Sequence, residues 1–265
     1  MKKLLLYSTL VTLVMGLSLT SCKKNQDDEL DIETESSADN YNVERNINDV
    51  FKQVDESANA SNIGKTGPTV SVDSTSNPRV MTINYGAGTL CNDNKIRAGK
   101  IIVTWTGKYR AIGTVVTITT DSFYQNGNKL EGTKTIENKG RSALGNLYYQ
   151  VSVRNAKLTT VDGKIATWNA DRTREWISGE STPAWNDDVY AITGGSSGVS
   201  RAGLSYTSTI TQTLRVDFSC DYRLTAGEIE IKPTGKLTRT INYGNGGCDN
   251  SFTVKIGNRT FTVSK

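Results

Sequence analysis

Two dipeptides, Asn126-Gly127 and Asp162-Gly163, do most to limit what this chain can become. Each lies between runs rich in Thr, Val, Ile and Tyr, and each tolerates the positive φ that a type I′ turn requires. Gly257-Asn258 is a further turn of this kind. Joins so short make neighbouring strands antiparallel. From Thr69 onward the texture stays β, with turn residues at short intervals. Strands are expected at 80–85, 99–106, 114–124, 129–138, 147–160, 164–177, 188–194, 204–214, 226–232, 236–243, 251–256 and 260–264. No long helical crossover interrupts the series, so a parallel α/β sheet is not expected. Along 147–154, Leu147, Tyr149, Val151 and Val153 alternate with Tyr148, Gln150, Ser152 and Arg154, the pattern of a sheet wet on one face. The expected fold is mainly β: an antiparallel meander forming a curved sheet, an open barrel or a sandwich.

One amphipathic helix is expected ahead of it, over 41–58. Val43, Ile47, Val50, Phe51 and Val54 form a single apolar stripe. Asp39, Asn40 or Asn42 is placed to cap its start. The stripe packs on the sheet or docks a partner.

The N-terminus carries a different message. Lys2 and Lys3 precede an apolar stretch from Leu4 to Leu19, diluted by Ser, Thr and Gly and too short for a spanning helix. These are marks of a signal peptide over 1–21. Leu19-Thr20-Ser21-Cys22 resembles a bacterial lipobox, which makes Cys22 the lipidation site. Residues 22–40 hold two lysines against seven acids, a net of −5 with few apolar side chains. Such a segment reads as a disordered acidic tether. Lys23 beside the cysteine favours the outer membrane, on its periplasmic or surface-exposed face.

The chain has a formal charge of +4. Removing Lys2 and Lys3 with the leader, and then the −5 of the tail, leaves +7 on the body, 41–265. No Lys/Arg block is dense enough for nucleic acid, and the body reads as one β-rich domain. Cys91, Cys220 and Cys248 remain after export to an oxidising compartment. Cys220–Cys248, which closes the shorter loop, is the expected disulfide, although spacing leaves the pairing open.

Histidine is absent. That excludes Ser-His-Asp and Cys-His catalysis as usually built, and His-ligated metals. Gly194-Gly195-Ser196-Ser197-Gly198 matches G-x-S-x-G in letters only and reads as a Gly/Ser hairpin loop. Carboxylates are the remaining catalytic candidates: Asp171, Glu175, Asp187, Asp188 and Asp221. A pair of them about 5–10 Å apart would suit glycoside hydrolysis. Asp171 and Glu175 share one strand face, with Arg172 and Arg174 on the other, and a cross-strand ion-pair ladder explains them equally well. Trp185, Asp187 and Asp188 form the candidate ligand-binding loop, Trp185 as a stacking surface for a glycan. Asn186-Asp187-Asp188 and Cys248-Asp249-Asn250 are oxygen-rich, so calcium is the one ion considered; otherwise no metal or cofactor is expected.

Thr82-Ile83-Asn84-Tyr85-Gly86-Ala87-Gly88 recurs as Thr240-Ile241-Asn242-Tyr243-Gly244-Asn245-Gly246, each with a cysteine close behind. The echo reflects a duplication, paired elements of one sheet, or shared turn chemistry.

Several passages occur together: Asn84-Tyr85-Gly86 with Cys91, Arg97-Ala98-Gly99-Lys100-Ile101, Glu131-Gly132-Thr133, Thr173-Arg174-Glu175-Trp176, Asp187-Asp188-Val189-Tyr190 and Cys248-Asp249-Asn250. With the lipobox, the chain resembles a group of uncharacterised lipoproteins of Bacteroidota. The resemblance spans roughly residues 41–265 and implies a location, with no activity or site residue to carry over. The expectation is a lipid-anchored cell-envelope protein with a non-enzymatic binding or structural role. Its partners are the membrane through Cys22 and a glycan or an envelope protein. The alternatives are a carboxylate-dependent glycan hydrolase and a carrier of an apolar ligand, the latter requiring a large apolar cavity under the helix.

Overall fold

Alternation with a period of two runs through most of the body, and every strand expected from it is present. The computed structural model describes residues 31–59, 67–182, 186–220, 223–249 and 251–264. Residues 1–30, which include the expected leader and Cys22, lie outside the described residues, as do Trp185 and Asp221. The elements are α1 (Glu35–Asn59), β1 (Thr69–Asp73), β2 (Arg79–Asn84), β3 (Thr89–Leu90), β4 (Ile96–Trp105), β5 (Val115–Gln125), β6 (Asn128–Arg141) and β7 (Leu147–Thr159). They continue as β8 (Ile165–Ser178), β9 (Val189–Val199), β10 (Ser205–Asp217), β11 (Leu224–Pro233), β12 (Arg239–Asn245), β13 (Ser251–Ile256) and β14 (Arg259–Ser264). All strands join one antiparallel sheet in chain order, with the short β3 set to one side against β4. The sheet does not close on itself.

The turns follow the local chemistry, with one correction. Asn126 and Gly127 are both at positive φ, as a type I′ turn requires. At Asp162-Gly163 only Gly163 is. There the Gly163 amide donates to the Thr160 carbonyl and the Thr160 amide to the Lys164 carbonyl, so the join is a longer loop closed by one left-handed residue. Turns at 142–146 and 200–204 repeat that bonding.

Gly194–Gly198 is not a hairpin loop. It is the middle of β9, paired on both sides with β8 and β10. Breaks in register run across the sheet: at Gly99 on β4, Gly132 on β6, between Val153 and Ala156 on β7, between Thr209 and Leu214 on β10, and at Gly227 on β11. Bulges bend strands and raise local twist.

One face of the sheet is buried. Ile83, Ile101, Ile118, Ile136, Tyr149, Val153, Trp168, Leu214, Ile231 and Ile241 point into it, as do Val43, Ile47, Val50 and Val54 of α1. The opposite face carries ion pairs such as Lys100–Asp121, Lys157–Glu131 and Arg154–Asp171. The expected wet face of β7 is therefore found.

The helix starts at Glu35, six residues before the expected Tyr41, and residues 31–40 are not a tether. Asp39 and Asn40 lie within α1, both buried, and cap nothing. Asp31 accepts from Arg239 (2.7 Å) and from the Leu237 amide (2.9 Å). Asp39, fully buried, accepts from the amide and Nε of Arg201 (2.7 and 2.6 Å). The acids that read as self-repelling are held by cations far along the chain.

These pins continue along the helix in sheet order. Asn40 accepts from Trp168 of β8, Asn48 from Lys134 of β6, and Asp49 from Arg97 of β4, while Gln53 accepts from the hydroxyl of Tyr85 just after β2. Helix α1, with 25 residues, is roughly 37 Å long. Nine strand steps of about 4.8 Å from β12 to β2 come to roughly 43 Å. The helix thus crosses the strands as a brace.

The echoed segments are β2 and β12 with their following turns, near opposite edges of the sheet. Asn84 accepts from the Gly86 amide, and Asn242 from the Gly244 amide, both at 2.9 Å. Tyr85 and Tyr243 are both buried.

Candidate functional site

Besides Arg97 and Arg239, which are held by Asp49 and Asp31, three cations lie on the apolar face beneath α1. Lys134 of β6 shares its face with Leu130 and Ile136, and Arg172 and Arg174 of β8 share theirs with Trp168 and Trp176. The Lys134 ammonium donates to Asn48 Oδ1 at 3.0 Å and lies 4.8 Å from the centre of the Phe51 ring. Burial, aided by the charge of Arg174 and opposed by Glu44, pushes its pKa down to about 7.

Arg174 sits among aromatic rings. Its guanidinium carbon is 5.1 Å from the ring centres of Tyr149 and Tyr190 and 5.4 Å from that of Phe51. One terminal nitrogen donates to the Tyr109 hydroxyl, and Tyr109 stacks on Tyr149 at 4.8 Å. Such contacts replace part of the hydration a guanidinium loses on burial.

Arg172 has less. It is 5 % exposed, and its Nε lies 3.5 Å from Glu44 Oε1 of the helix, without a hydrogen bond. Neither Nη1 nor Nη2 has a hydrogen-bond partner. On β10, beyond β9, the buried Tyr206 hydroxyl and Ser208 Oγ also lack one among the described residues. Buried polar groups are rarely left so.

Of the residues proposed as a ligand loop, Asp188 is buried and accepts from Trp176 Nε1 and from the Tyr190 hydroxyl, each at 3.1 Å. Burial raises its pKa against the opposing pull of those two hydrogen bonds. Asp187 is exposed and accepts from Thr182 at 2.9 Å. Arg110 covers the Trp176 ring at 4.6 Å. The structure therefore brings Asp188, Trp176 and Tyr190 together and leaves Asp187 on the surface.

The catalytic candidates are likewise engaged. Asp171 accepts from Arg154 (2.6 Å) and Ser152 (3.0 Å), the ladder arrangement. Glu175 accepts from Ser142 (2.6 Å) and Asn146 (3.0 Å), which ties β8 to the β6–β7 turn. Asp249 accepts from Ser251 two residues on. Among the described residues no three His, Cys, Asp or Glu side chains are grouped to hold a metal.

Cys220 and Cys248 form the expected disulfide, with Cα atoms 5.3 Å apart, joining the end of β10 to the loop after β12. Cys91 is free, half-buried against the core.

Between α1 and β5–β6, Ile47, Val50, Ile118, Leu130 and Lys134 line a cavity of about 10 Å³. That is room for one water and too little for an apolar ligand. A groove of about 470 Å³ on the outer face, lined by Ile96, Ala98, Tyr124 and several glycines, is open to solvent and uncharged.

The inward cations were missed because charged residues were assigned to water. Parity was the signal that could have found them: Arg172 and Arg174 share it with Trp168 and Trp176. Comparisons of the chain with protein-family models, with curated proteins and with solved structures find no match.

Proposed function

We propose that this chain is a lipid-anchored cell-envelope protein that binds or scaffolds without catalysing a reaction. Its anchor is Cys22, its membrane the outer one, and its partner a glycan or another envelope protein. The observation that carries the non-enzymatic reading is the engagement of the acids. Asp171 and Glu175, the pair a glycan hydrolase would use, are each tied by two hydrogen bonds into the outer face or a turn. Beneath α1 the sheet offers cations and aromatic rings, and the helix carboxylates Asp39, Glu44 and Asp49 lie against Arg201, Arg172 and Arg97. The narrow cavity under the helix speaks against a carrier of apolar molecules.

The N-terminal leader and Cys22 support the anchor. Because Asp31 is already bonded to Arg239, the stretch available as a spacer shortens from 22–40 to 22–30. Cys22→Ser is expected to move the protein from the membrane pellet to the soluble fraction, and the native mature N-terminus to carry acyl mass. Membrane-bound Cys22→Ser protein, with no acyl mass on the native chain, would overturn the proposal.

A further inference from the structure

We propose that Arg172, Tyr206 and Ser208 form a binding site for a small oxyanion of carboxylate or phosphate type, enclosed between α1 and strands β8–β10. This goes beyond the anchored, non-enzymatic reading and does not depend on it.

Register brings the three side chains together. Trp168 of β8 pairs with Gly198 of β9, which pairs with Tyr206 of β10. In the next inward-facing row, Ala170 pairs with Ser196, and Ser196 with Ser208. Arg172 folds back along β8, its guanidinium carbon 6.0 Å from the Trp168 ring centre. Tyr206 leans over β9 from the other side: a Cβ at Gly198 would lie 2.7 Å from its hydroxyl. The small inward-facing residues Gly194, Ser196 and Gly198 keep the floor low between them.

This cluster of side chains is rich in donors and poor in free acceptors. A guanidinium carries five N–H groups, and the two hydroxyls add one each. All three Arg172 nitrogens, Tyr206 OH and Ser208 Oγ are without a hydrogen-bond partner among the described residues, and the three residues are 5 %, 3 % and 2 % exposed. Asn40 Oδ1 already accepts from Trp168 (3.0 Å) and Ser196 (3.0 Å). Two helix carboxylates face the site: Glu44, 3.5 Å from Arg172 Nε, and Asp39, whose charge acts on Tyr206 but which already accepts twice from Arg201; against them stand the positive charges of Arg172, Arg174 and Lys134. An acceptor bearing negative charge answers both deficits, and guanidinium suits a carboxylate or phosphate fork. The cover of α1 restricts the ligand to a small one.

The test uses the full chain purified in detergent. Melting is followed in phosphate, sulfate or acetate against chloride at matched ionic strength. A ligand bound by the folded state raises Tm in a saturable way. At least one oxyanion is expected to do so where chloride does not. Arg172→Met should abolish the shift. Ser208→Ala should weaken the affinity about tenfold, the loss of one hydrogen bond near a charge. Glu44→Gln, which removes the competing carboxylate, should tighten it. If Arg172 merely pairs with Glu44, Glu44→Gln lowers Tm and gains no affinity. A native Tm that follows ionic strength alone overturns the site, as does a shift that Ser208→Ala and Glu44→Gln both leave unchanged. These two variants decide the matter if Arg172→Met does not fold. Cys22→Ser protein should give the native response, which separates this site from the anchor.

Discussion

A lysine pressed against an apolar face releases its proton where lysines ordinarily hold it. Lys134 titrates near 7 because burial, and then Arg174, disfavour its charge. Unfolded, the same group titrates near 10.4. Between about pH 7 and 10 the unfolded chain therefore binds more protons at this position than the folded one. Stability contributed through Lys134 must rise with pH across that window. Lys134→Met removes the buried charge while keeping the stem that lies on Phe51. The variant should be more stable than the native chain at pH 6.5 and lose the native rise between pH 7 and 9.5. Urea unfolding at the two pH values measures both. A rise retained in full by the variant would mean that another group produces it. At this scale the strand parity of Lys134 was legible, but which face was dry was not, because that depends on what covers the sheet.

Element by element, the strand map follows from local chemistry, and its exceptions have steric causes. β9 runs through Gly-Gly-Ser-Ser-Gly, a composition that reads as loop, because close packing there admits little else: a Cβ at Gly194 would lie 2.2 Å from the Asp171 carbonyl. The breaks in register rest on similar positions. Gly99 is at φ 78°, and a Cβ there would fall 1.9 Å from the Ser122 carbonyl. Gly145 is at φ 84° in an open turn with nothing nearby. Gly145→Ala should cost only the left-handed backbone, about 1–2 kcal/mol. Gly99→Ala adds the clash and should cost roughly 2–5 kcal/mol. Guanidinium unfolding of the two variants distinguishes them, and equal costs would show that the bend at Gly99 relaxes freely.

Across the whole molecule, the N-terminal segment is held by charges from remote strands. Arg239 of β12 is 1 % exposed and lies 2.7 Å from Asp31 and 3.3 Å from Glu33. Arg239→Ala would leave both carboxylates largely buried without their cation, at about 3–5 kcal/mol. Chemical unfolding should register that loss, and proteolysis should then cut first ahead of α1. An undiminished midpoint would show that the start of the chain is not pinned. The meander, its tight turns, the wet outer face and the helical stripe were determined by the sequence itself. They rest on contacts within a few residues or between adjacent strands, which periodicity and turn chemistry record directly. The disulfide choice came from loop length alone, and the structure bears it out. Only the tertiary structure decided that the sheet stays open, that residues 31–40 are ordered, and that Lys134, Arg172 and Arg174, like Arg97 and Arg239, face inward. Each depends on partners separated by many strands, such as Asp39 with Arg201 and Asp31 with Arg239. Local composition carries no record of a charge that arrives two hundred residues later, and so an ordered, paired segment and a solvated one look alike until the chain has folded.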